Sequence, residues 1–434
     1  MVEIESSFKQ FITPEMLEDV VLHTNKYALS ICPKFELTDV HELYRFIGCL
    51  IYCGVFKAKL EYHKDMWSQD HGRPALKKCF SRDRFCNLMR FIRFDDVLDR
   101  HKSERRGRLD PIDQFFKHFI ANSQSIYVPD FSLTIDEMMI PFRGKCIFKM
   151  YMPAKSCKYG IKIFALVEAK SKYLLNARIY CGKDDTGIDN TPTAIVMDLI
   201  SKYLGKGYHL TTDNWYTSFP LAHQLLEKKT SFLGTIRKNK RELPLKFTER
   251  NGRGKGTNLY GYQKEMTLVS YIPDKKVFKN VLLISTLHTG KQNQAGLPNI
   301  IKDYNVMKCG VDVLDQLLGY YSARRATRRW PFTVFCHLLD IAAYNAFVCH
   351  VEVMKRKKLS RRDYLVSLSE ALMMKESNLS ADKPKKAKMD APKIRGRCTK
   401  CPRQSDIKTF QRCISCQEFV CKQHTQHICF DCIE

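Results

Sequence analysis

Residues 131–142 read FSLTIDEMMIPF, and this stretch decides the fold. Leu133 and Ile135 alternate with polar residues, a spacing typical of a half-buried β-strand. Asp136 lies in the middle of that pattern, where a carboxylate loses hydration free energy unless a cation or hydrogen-bond donors compensate for it. The stretch therefore predicts a strand that carries a functional acid.

Two later stretches place acids in comparable positions. Residues 208–218, YHLTTDNWYTS, read as a strand that ends at Asp213 and leads into a helix. Residues 308–316, KCGVDVLDQ, open a helix on which Asp312 and Asp315 are three apart and so lie on one face. Mg²⁺ and Mn²⁺ bind carboxylate oxygens, and two such ions can promote an in-line phosphoryl displacement. The acids predict a divalent-metal site that acts on phosphates.

Each acid has an expected role and a plainer alternative. We expect Asp136 to bridge two ions, Asp213 to hold one of them and Asp312 the other. Any one of these aspartates alone is more often a cap or a surface residue, and Asp213 in particular could simply cap the turn at 214–217. Asp315 would either bind the same ion as Asp312, orient its water, or pair with a nearby arginine.

Composition favours a polyanionic partner. Lys and Arg number 72 against 46 Asp and Glu, giving a net charge of +26 in 434 residues, of which 44% are hydrophobic. Such a charge on a well-packed chain is typical of nucleic-acid binding rather than of a membrane-surface protein. The start lacks a signal-peptide pattern, and the longest apolar run, 46–56, is about half a membrane span, so we expect a soluble intracellular protein.

The chain divides into segments of different periodicity. Helical spacing before residue 130 has start signals at Thr13, Thr38 and Ser81. Three strands in a meander, then alternating helix and strand, with acids on the first and fourth strands, are typical of the ribonuclease H-like α/β fold. We predict these segments: 1–130 helical; 131–240 catalytic core; 241–300 insertion domain; 301–321 core helix; 322–382 helical; 383–396 basic linker; 397–434 cysteine-rich domain.

The cysteine-rich segment is a strong metal signal. Its cysteine and histidine pairs are two residues apart, and eight soft ligands suffice for two tetrahedral Zn²⁺ ions in a segment too small to fold on a core of its own. A cross-brace is one pairing; sequential pairing is another, and His427 could replace His424. In the cross-brace the first ion has Cys398, Cys401, Cys421 and His424, and the second has Cys413, Cys416, Cys429 and Cys432.

Five segments together resemble the piggyBac transposase family. They are TIDEMMIPFRG, LTTDNWYTS, GTIRKNKRELP, YNVMKCGVDVLDQ and RRATRRWP, and the resemblance runs from about Phe11 to the C-terminus. It implies catalytic aspartates at Asp136, Asp213 and Asp312, with a further acid at Asp315. It also implies a helical dimerisation and DNA-binding domain on both sides of the core, an insertion domain, and a tail that binds transposon ends.

The resemblance also implies DNA contacts. Arg237 and Lys240 match family positions that touch DNA, and phosphate contacts of this kind supply affinity rather than sequence information. A run of arginines leads into Trp330, whose indole could stack on an unpaired base or anchor the next helix in the core. The arginines are Arg324, Arg325, Arg328 and Arg329.

The resulting hypothesis is a DNA transposase of piggyBac type. It would use Mg²⁺ or Mn²⁺ for cut-and-paste transposition at TTAA sites through hairpin ends, with two Zn²⁺ in the tail, as a homodimer on double-stranded DNA in the nucleus. Residues 383–388, KPKKAK, fit both a solvated tether and a nuclear-import signal. The alternatives are a non-cutting DNA-binding regulator derived from a transposase and, from the cysteine spacing alone, a ubiquitin ligase or histone reader.

Overall fold

The protein is described from a computed structural model. It describes residues 3–97, 100, 107–153, 155, 157–182, 189–249, 252–273, 280–288, 297–354, 359–374, 396–410, 418–421 and 423–424. The chain divides into two compact units, residues 1–375 and 376–434. The basic linker at 383–396 falls almost wholly outside the described residues.

The first unit combines helices with one large sheet. Its helices are α1 (Ile4–Lys9), α2 (Pro14–Ile31), α3 (Val40–Val55), α4 (His63–Met66), α5 (Pro74–Cys79), α6 (Arg82–Phe91), α7 (Asp113–Ile126), α8 (Pro192–Ile200), α9 (Phe219–Glu227), α10 (Leu245–Thr248), α11 (Asn299–Met307), α12 (Gly310–Tyr320), α13 (Trp330–Met354) and α14 (Arg361–Met373). Its strands are β1 (Ser132–Pro141), β2 (Met150–Tyr151), β3 (Tyr159–Glu168), β4 (Leu174–Ile179), β5 (His209–Thr212), β6 (Ser231–Thr235), β7 (Asn258–Gln263), β8 (Met266–Tyr271) and β9 (Val281–Ser285).

The sheet has the order predicted for a ribonuclease H-like core. Strands β4, β3 and β1 are antiparallel neighbours, and β5 and β6 then follow β1 in parallel. Parallel neighbours need a crossover connection, which here contains α8 between β4 and β5 and α9 between β5 and β6. The α/β fold class is confirmed, and β5 ends opposite Ile135, in the middle of β1.

The segment at 241–300 continues this sheet. Strand β9 pairs antiparallel with β6, β8 with β9, and β7 with β8. Strands β7 and β8 form a hairpin whose turn includes Lys264, at a positive φ of 49°. The interval between the fifth core strand and the helix of Asp312 therefore extends the sheet by three strands.

The helices before and after the core pack against each other. α3 packs along α14, where a Cβ on Gly48 would lie 2.9 Å from Leu372 Cβ. Thr13 and Ser81 cap α2 and α6 as predicted, whereas Asp39 rather than Thr38 caps α3 because its carboxylate accepts the Glu42 amide at 2.7 Å. The two helical segments predicted on either side of the core thus share one hydrophobic core.

Helix α13 lies at the centre of that helical layer. Residues 330–353 are long and apolar enough to cross a membrane by composition, but 89% of their most apolar window is buried within the protein. Phe332, Phe335 and Leu339 are almost fully buried there. The helix is apolar all round because other helices and the sheet surround it.

The second unit is described in part. Strands β10 (Gly396–Arg397) and β11 (Lys408–Thr409) form a short antiparallel ladder next to the first cysteine pair. A Cβ on Gly396 would lie 2.0 Å from the Phe419 ring, so this position requires glycine. The only apolar cluster found in the described part of this unit consists of three cysteines, which is too little to hold a fold without a metal.

Candidate active site and zinc cluster

Asp136 lies within β1 and Asp213 directly follows the end of β5, at the same level of these two neighbouring strands. Ile135 on β1 faces Thr212 on β5 in the parallel ladder, and each aspartate is the next residue along its strand. Neighbouring strands are about 4.8 Å apart, so the two acids are adjacent in space. The strand register thus brings together two acids that are 77 residues apart in sequence, which follows from their numbers, 213 − 136.

Asp312 reaches the same edge because α12 packs closely on β1. Gly310 begins the helix, and a Cβ there would lie 2.3 Å from Thr134 Cγ2 and 3.0 Å from Val167 Cγ2. The missing side chain allows the helix backbone to lie directly on β1 and β3. Asp312, in the first turn, is exposed at the edge where Asp136 and Asp213 lie.

Burial makes the negative charge on these acids costly. It raises the pKa of Asp136 to about 8, and the neighbouring Glu137 carboxylate adds to the shift. Burial also raises the pKa of Asp213, although its Oδ1 accepts the Trp215 amide at 2.8 Å. Asp213 thus caps the turn after β5 and still presents a second oxygen. A divalent cation would compensate for such charges, so this all-oxygen donor set fits Mg²⁺ or Mn²⁺.

A lysine that sequence reasoning missed lies among the acids. Lys155 Nζ donates to Asp312 Oδ1 at 2.9 Å and to the Glu137 carbonyl at 2.7 Å. Asp136, Asp213 and Asp312 do not form a set whose carboxylate oxygens all lie within 4.8 Å of one another. The segment between β2 and β3 has no periodicity, and one lysine among 72 basic residues gave no signal.

Asp315 lies one turn after Asp312 and is half-buried. Burial raises the pKa of its carboxyl, while the charge of Lys155 and a hydrogen bond from the Met139 amide oppose that shift. It borders a cavity of about 420 Å³ that is also lined by Lys155 and Arg324. The structure therefore places Asp315 beside a cavity that it shares with Lys155, Arg324 and Asp312.

The opposite face of β1 carries a second polar group. Tyr216 OH donates to Glu137 Oε2 at 3.1 Å, and Lys162 Nζ lies 3.6 Å from Glu137 Oε1. Lys162 also lies over the rings of Phe164 and Trp215, at 4.6 and 5.0 Å from their centroids. These contacts fix the turn after Asp213 against the strand of Asp136. Glu137 is still close enough to the acids that its charge helps to raise the pKa of both Asp136 and Asp213.

Arg237 and Lys240 lie beside Asp213. Arg237 is exposed, and its Nε donates to Asn214 Oδ1 at 3.2 Å. Together with Trp215, Asn214 and Lys240 it lines an open cavity of about 260 Å³. Both basic residues predicted to contact DNA are therefore next to one of the predicted catalytic acids.

Two of the four predicted DNA-contacting arginines are buried in the protein. Arg325 is 5% exposed and donates to the carbonyls of Ala58 and Glu61, the latter at 3.0 Å. Arg324 is 8% exposed; its Nε donates to Ser322 Oγ at 2.9 Å. Both bind the loop before α13 to neighbouring elements, which corrects the expectation that they face DNA.

Arg329 has a similar structural role, whereas Arg328 does not. Arg329 donates to the carbonyls of Met89, Arg90 and Ile92 at the end of α6, and burial lowers its pKa to about 9. Arg328 is exposed, so its predicted DNA contact stays a prediction. Trp330 begins α13 and packs edge-on against Phe148 at 5.0 Å, as the core-anchor alternative expects.

Four ligands predicted for the first zinc ion lie together. The ligand atoms of Cys398, Cys401, Cys421 and His424 are all within 4.8 Å of one another, and this is the only such cluster found among the described residues. His424 Nδ1 lies 3.4 Å from Cys401 Sγ and 3.3 Å from Cys421 Sγ, and the two sulfurs are 3.6 Å apart.

The cluster has dimensions that suit zinc. Zn–S distances of about 2.3 Å imply sulfur–sulfur edges of about 3.8 Å in a tetrahedron. The Cys421 amide also donates to Cys398 Sγ at 3.2 Å, which stabilises a thiolate. This pairing is that of the cross-brace and uses His424. His427 and the second predicted set, Cys413, Cys416, Cys429 and Cys432, lie outside the described residues.

Comparison with known proteins identifies the family of this chain. The sequence profile of the Transposase IS4 family matches residues 5–347. The chain belongs to the piggyBac-like transposase family. A solved piggyBac transposase, in a synaptic complex with hairpin DNA, superposes on the chain with a TM-score of 0.81 at 29% identity. The match covers 99% of this chain and 97% of that one.

Two human relatives belong to the same group. PiggyBac transposable element-derived protein 3 of Homo sapiens is 23% identical over 368 residues, which cover 78% of this chain and 60% of that protein. PiggyBac transposable element-derived protein 2 of Homo sapiens is 23% identical over 370 residues, 79% of this chain and 60% of that protein. This piggyBac-like chain thus spans about three fifths of the length of these curated relatives.

Proposed function

We propose that this chain is a DNA transposase that cuts DNA with a divalent-metal site built from Asp136, Asp213 and Asp312. The single observation that carries the proposal is the strand register, in which Asp136 and Asp213 directly follow the paired residues Ile135 and Thr212. The family match and the DNA complex of the solved relative support DNA as the substrate.

The proposed chemistry assigns a task to each residue. Bound Mg²⁺ or Mn²⁺ would supply charge neutralisation at the scissile phosphate and a more acidic water. Asp136 and Asp213 would hold it from the two strands and Asp312 from the helix. Arg237 and Lys240 would bind phosphates on the Asp213 side and so fix the DNA backbone relative to these acids.

The finer steps follow the expectation for the family. Water would cut one strand at each transposon end, and the freed 3′-hydroxyl would attack the opposite strand to form a hairpin. After hairpin opening, the 3′-hydroxyl would attack target DNA at TTAA. We further propose that the enzyme acts as a homodimer in the nucleus and that two Zn²⁺ order the tail for binding of transposon ends.

A cleavage assay with matched variants tests the proposal. Purified protein is incubated with Mg²⁺ and DNA that carries the flanking ends of its gene, next to Asp213→Asn and Asp198→Asn. Asp198 on α8 is an exposed aspartate that pairs with Arg178 at 3.5 Å and does not contact the site. We expect nicks and hairpins from the wild type and Asp198→Asn only. Specific binding with no cleavage in either Mg²⁺ or Mn²⁺ would contradict the enzyme proposal.

One observation favours a second candidate. Both human relatives are named as proteins derived from a transposable element. The alternative function is therefore a non-cutting, sequence-specific DNA-binding regulator that retains the fold. It predicts binding to a defined DNA sequence with an affinity that Asp213→Asn leaves unchanged, and no product in the cleavage assay.

A further inference from the structure

Lys155 is held between two elements of the proposed metal site. It lies in the segment between β2 and β3, and its side chain is 21% exposed. Its ammonium donates to the Glu137 carbonyl on β1 at 2.7 Å and to Asp312 Oδ1 on α12 at 2.9 Å. The lysine thus ties the carboxylate of the helix to the strand that carries Asp136.

The positive charge of Lys155 is stabilised by the carboxylates around it. Burial by itself would lower its pKa, but the hydrogen bond to Asp312 and the charge of Asp136 outweigh that effect and raise the pKa. The ammonium therefore stays protonated at neutral pH and compensates for carboxylates that would otherwise repel one another. A divalent cation bound by Asp136 and Asp312 would supply the same compensation.

Lys155 occupies Oδ1 of Asp312, so a cation that binds this oxygen would compete with the lysine. The carboxylate oxygens of Asp136, Asp213 and Asp312 do not all lie within 4.8 Å of one another, so at least one of these side chains has to move before the three can share an ion. A second acceptor is near: Asp315 lines the same 420 Å³ cavity as Lys155, and their charges interact. The cavity leaves room for the lysine chain to move between the two acids.

We propose that Lys155 is an exchangeable counter-ion of the metal site. In the metal-free protein its ammonium holds Asp312, and when a divalent cation binds it transfers to Asp315. Asp315 is then the acceptor of the displaced lysine and not a metal ligand. The inference rests on the proposed function for the identity of the metal ligands, but it concerns binding of the cation alone and is tested without DNA.

Mn²⁺ affinity of the full-length, zinc-loaded protein, measured by EPR of free Mn²⁺, tests the first step. Removing the competing ammonium in Lys155→Met should tighten Mn²⁺ binding about tenfold. Lys155→Arg retains the charge and should bind no more tightly than the wild type. Lys149→Met is the matched control, since this half-buried lysine in the same region donates to backbone carbonyls, to Gly144 at 3.0 Å. Its affinity should not change.

A double-mutant cycle with Asp315→Asn tests the second step. Without its second acceptor the lysine stays on Asp312, so Asp315→Asn alone should weaken Mn²⁺ binding about fivefold. In the Lys155→Met background the same change should alter affinity by less than about twofold, because no lysine needs an acceptor. A metal ligand at Asp315 would instead weaken binding equally in both backgrounds.

The outcomes separate this inference from the proposed function. Unchanged or weaker Mn²⁺ binding by Lys155→Met, or no binding by any variant, would overturn the exchange. Should Lys155→Met fail to fold, tighter binding by Lys155→Arg than by the wild type would contradict it. A protein that follows the predicted affinities but cuts no DNA would overturn the transposase proposal and leave the exchange standing.

Discussion

Gly310 and Thr134 lie so close that a single methyl group on the glycine would come within 2.3 Å of the threonine Cγ2. Gly310 is the first residue of α12, and Thr134 is two residues before Asp136 on β1. The contact therefore sets how near Asp312 comes to the acids of the sheet. A residue with no side chain thus sets the geometry of a site made of carboxylates.

Gly310→Ala should push α12 away from β1. We expect a loss of about 1–3 kcal/mol in unfolding free energy, as is typical of overpacking, together with a large loss of Mg²⁺-dependent cleavage. Gly319→Ala is the matched control, because it is in the same helix and a Cβ there meets nothing within 4 Å. That variant should be as stable as the wild type or up to about 1 kcal/mol more stable. Chemical denaturation measures both, and equal stabilities would contradict the account.

Arg328→Met and Arg329→Met should affect different properties of the protein. Arg329 binds three carbonyls at the end of α6, so its loss leaves them unpaired and should cost about 2 kcal/mol of unfolding free energy. Arg328 is exposed, so Arg328→Met should not change stability but should reduce the salt dependence of DNA binding by about one phosphate contact. Denaturation and salt titration of binding distinguish them. If the salt dependence of DNA binding is the same for Arg328→Met and the wild type, Arg328 does not contact a DNA phosphate.

Acid should destabilise the first unit partly through His209. Burial lowers the pKa of this fully buried histidine to about 4; the nearby His288 lowers it further, and Asp303 opposes the shift. Above about pH 6.5 the ring is neutral in both states, and below it the unfolded chain binds the proton first. This group should therefore cost stability as the pH falls from 6.5 to 4, by about 3 kcal/mol at most.

His209→Asn should remove that part of the pH dependence. His209 Nδ1 lies 2.8 Å from Ser231 Oγ, and asparagine retains a hydrogen-bonding group at this position. The variant is expected to have a lower unfolding free energy at pH 7 and a smaller decrease between pH 6.5 and 4. Urea denaturation at several pH values measures the slope. A variant with the full wild-type decrease would assign it to other groups.

Cys401→Ser should remove one zinc ion per chain. Its sulfur contacts both Cys421 and His424 in the four-ligand cluster, so serine leaves three ligands and a weaker site. We expect the zinc content, measured by mass spectrometry, to fall by one ion per chain, and the affinity of the protein for transposon-end DNA to decrease. Cys146→Ser, at a half-buried cysteine of the first unit, should retain all its zinc. Equal zinc content in both variants would contradict the assigned cluster.

Sequence periodicity and residue spacing predicted the secondary structure that carries the acids of the site. The strand of Asp136, the turn at Asp213 and the helix of Asp312 appear at the predicted places because apolar alternation and capping residues act locally. The set of four zinc ligands was one of several groupings that the sequence allowed, since sequential pairing and His427 in place of His424 were also open.

The sequence did not predict which polar side chains are buried or what they contact. Four arginines before Trp330 look alike in sequence, yet Arg324, Arg325 and Arg329 donate to backbone carbonyls and only Arg328 is exposed. The carbonyls that Arg325 and Arg329 bind belong to residues some 240–270 positions away. Lys155 was missed for the same reason: its partner Asp312 is 157 residues further along.

The packing of α3 against α14 has a consequence during synthesis on the ribosome. α3 ends at Val55 and α14 begins only at Arg361, so α3 leaves the exit tunnel about 300 residues before its packing partner. Until then the apolar face of α3 around Gly48 is exposed to water, and exposed apolar surface promotes aggregation. The need for chaperones should therefore be greatest while the residues of the sheet are being translated. A premature stop codon in α13 should also leave the helices that precede β1 unfolded, because their packing partners would be missing.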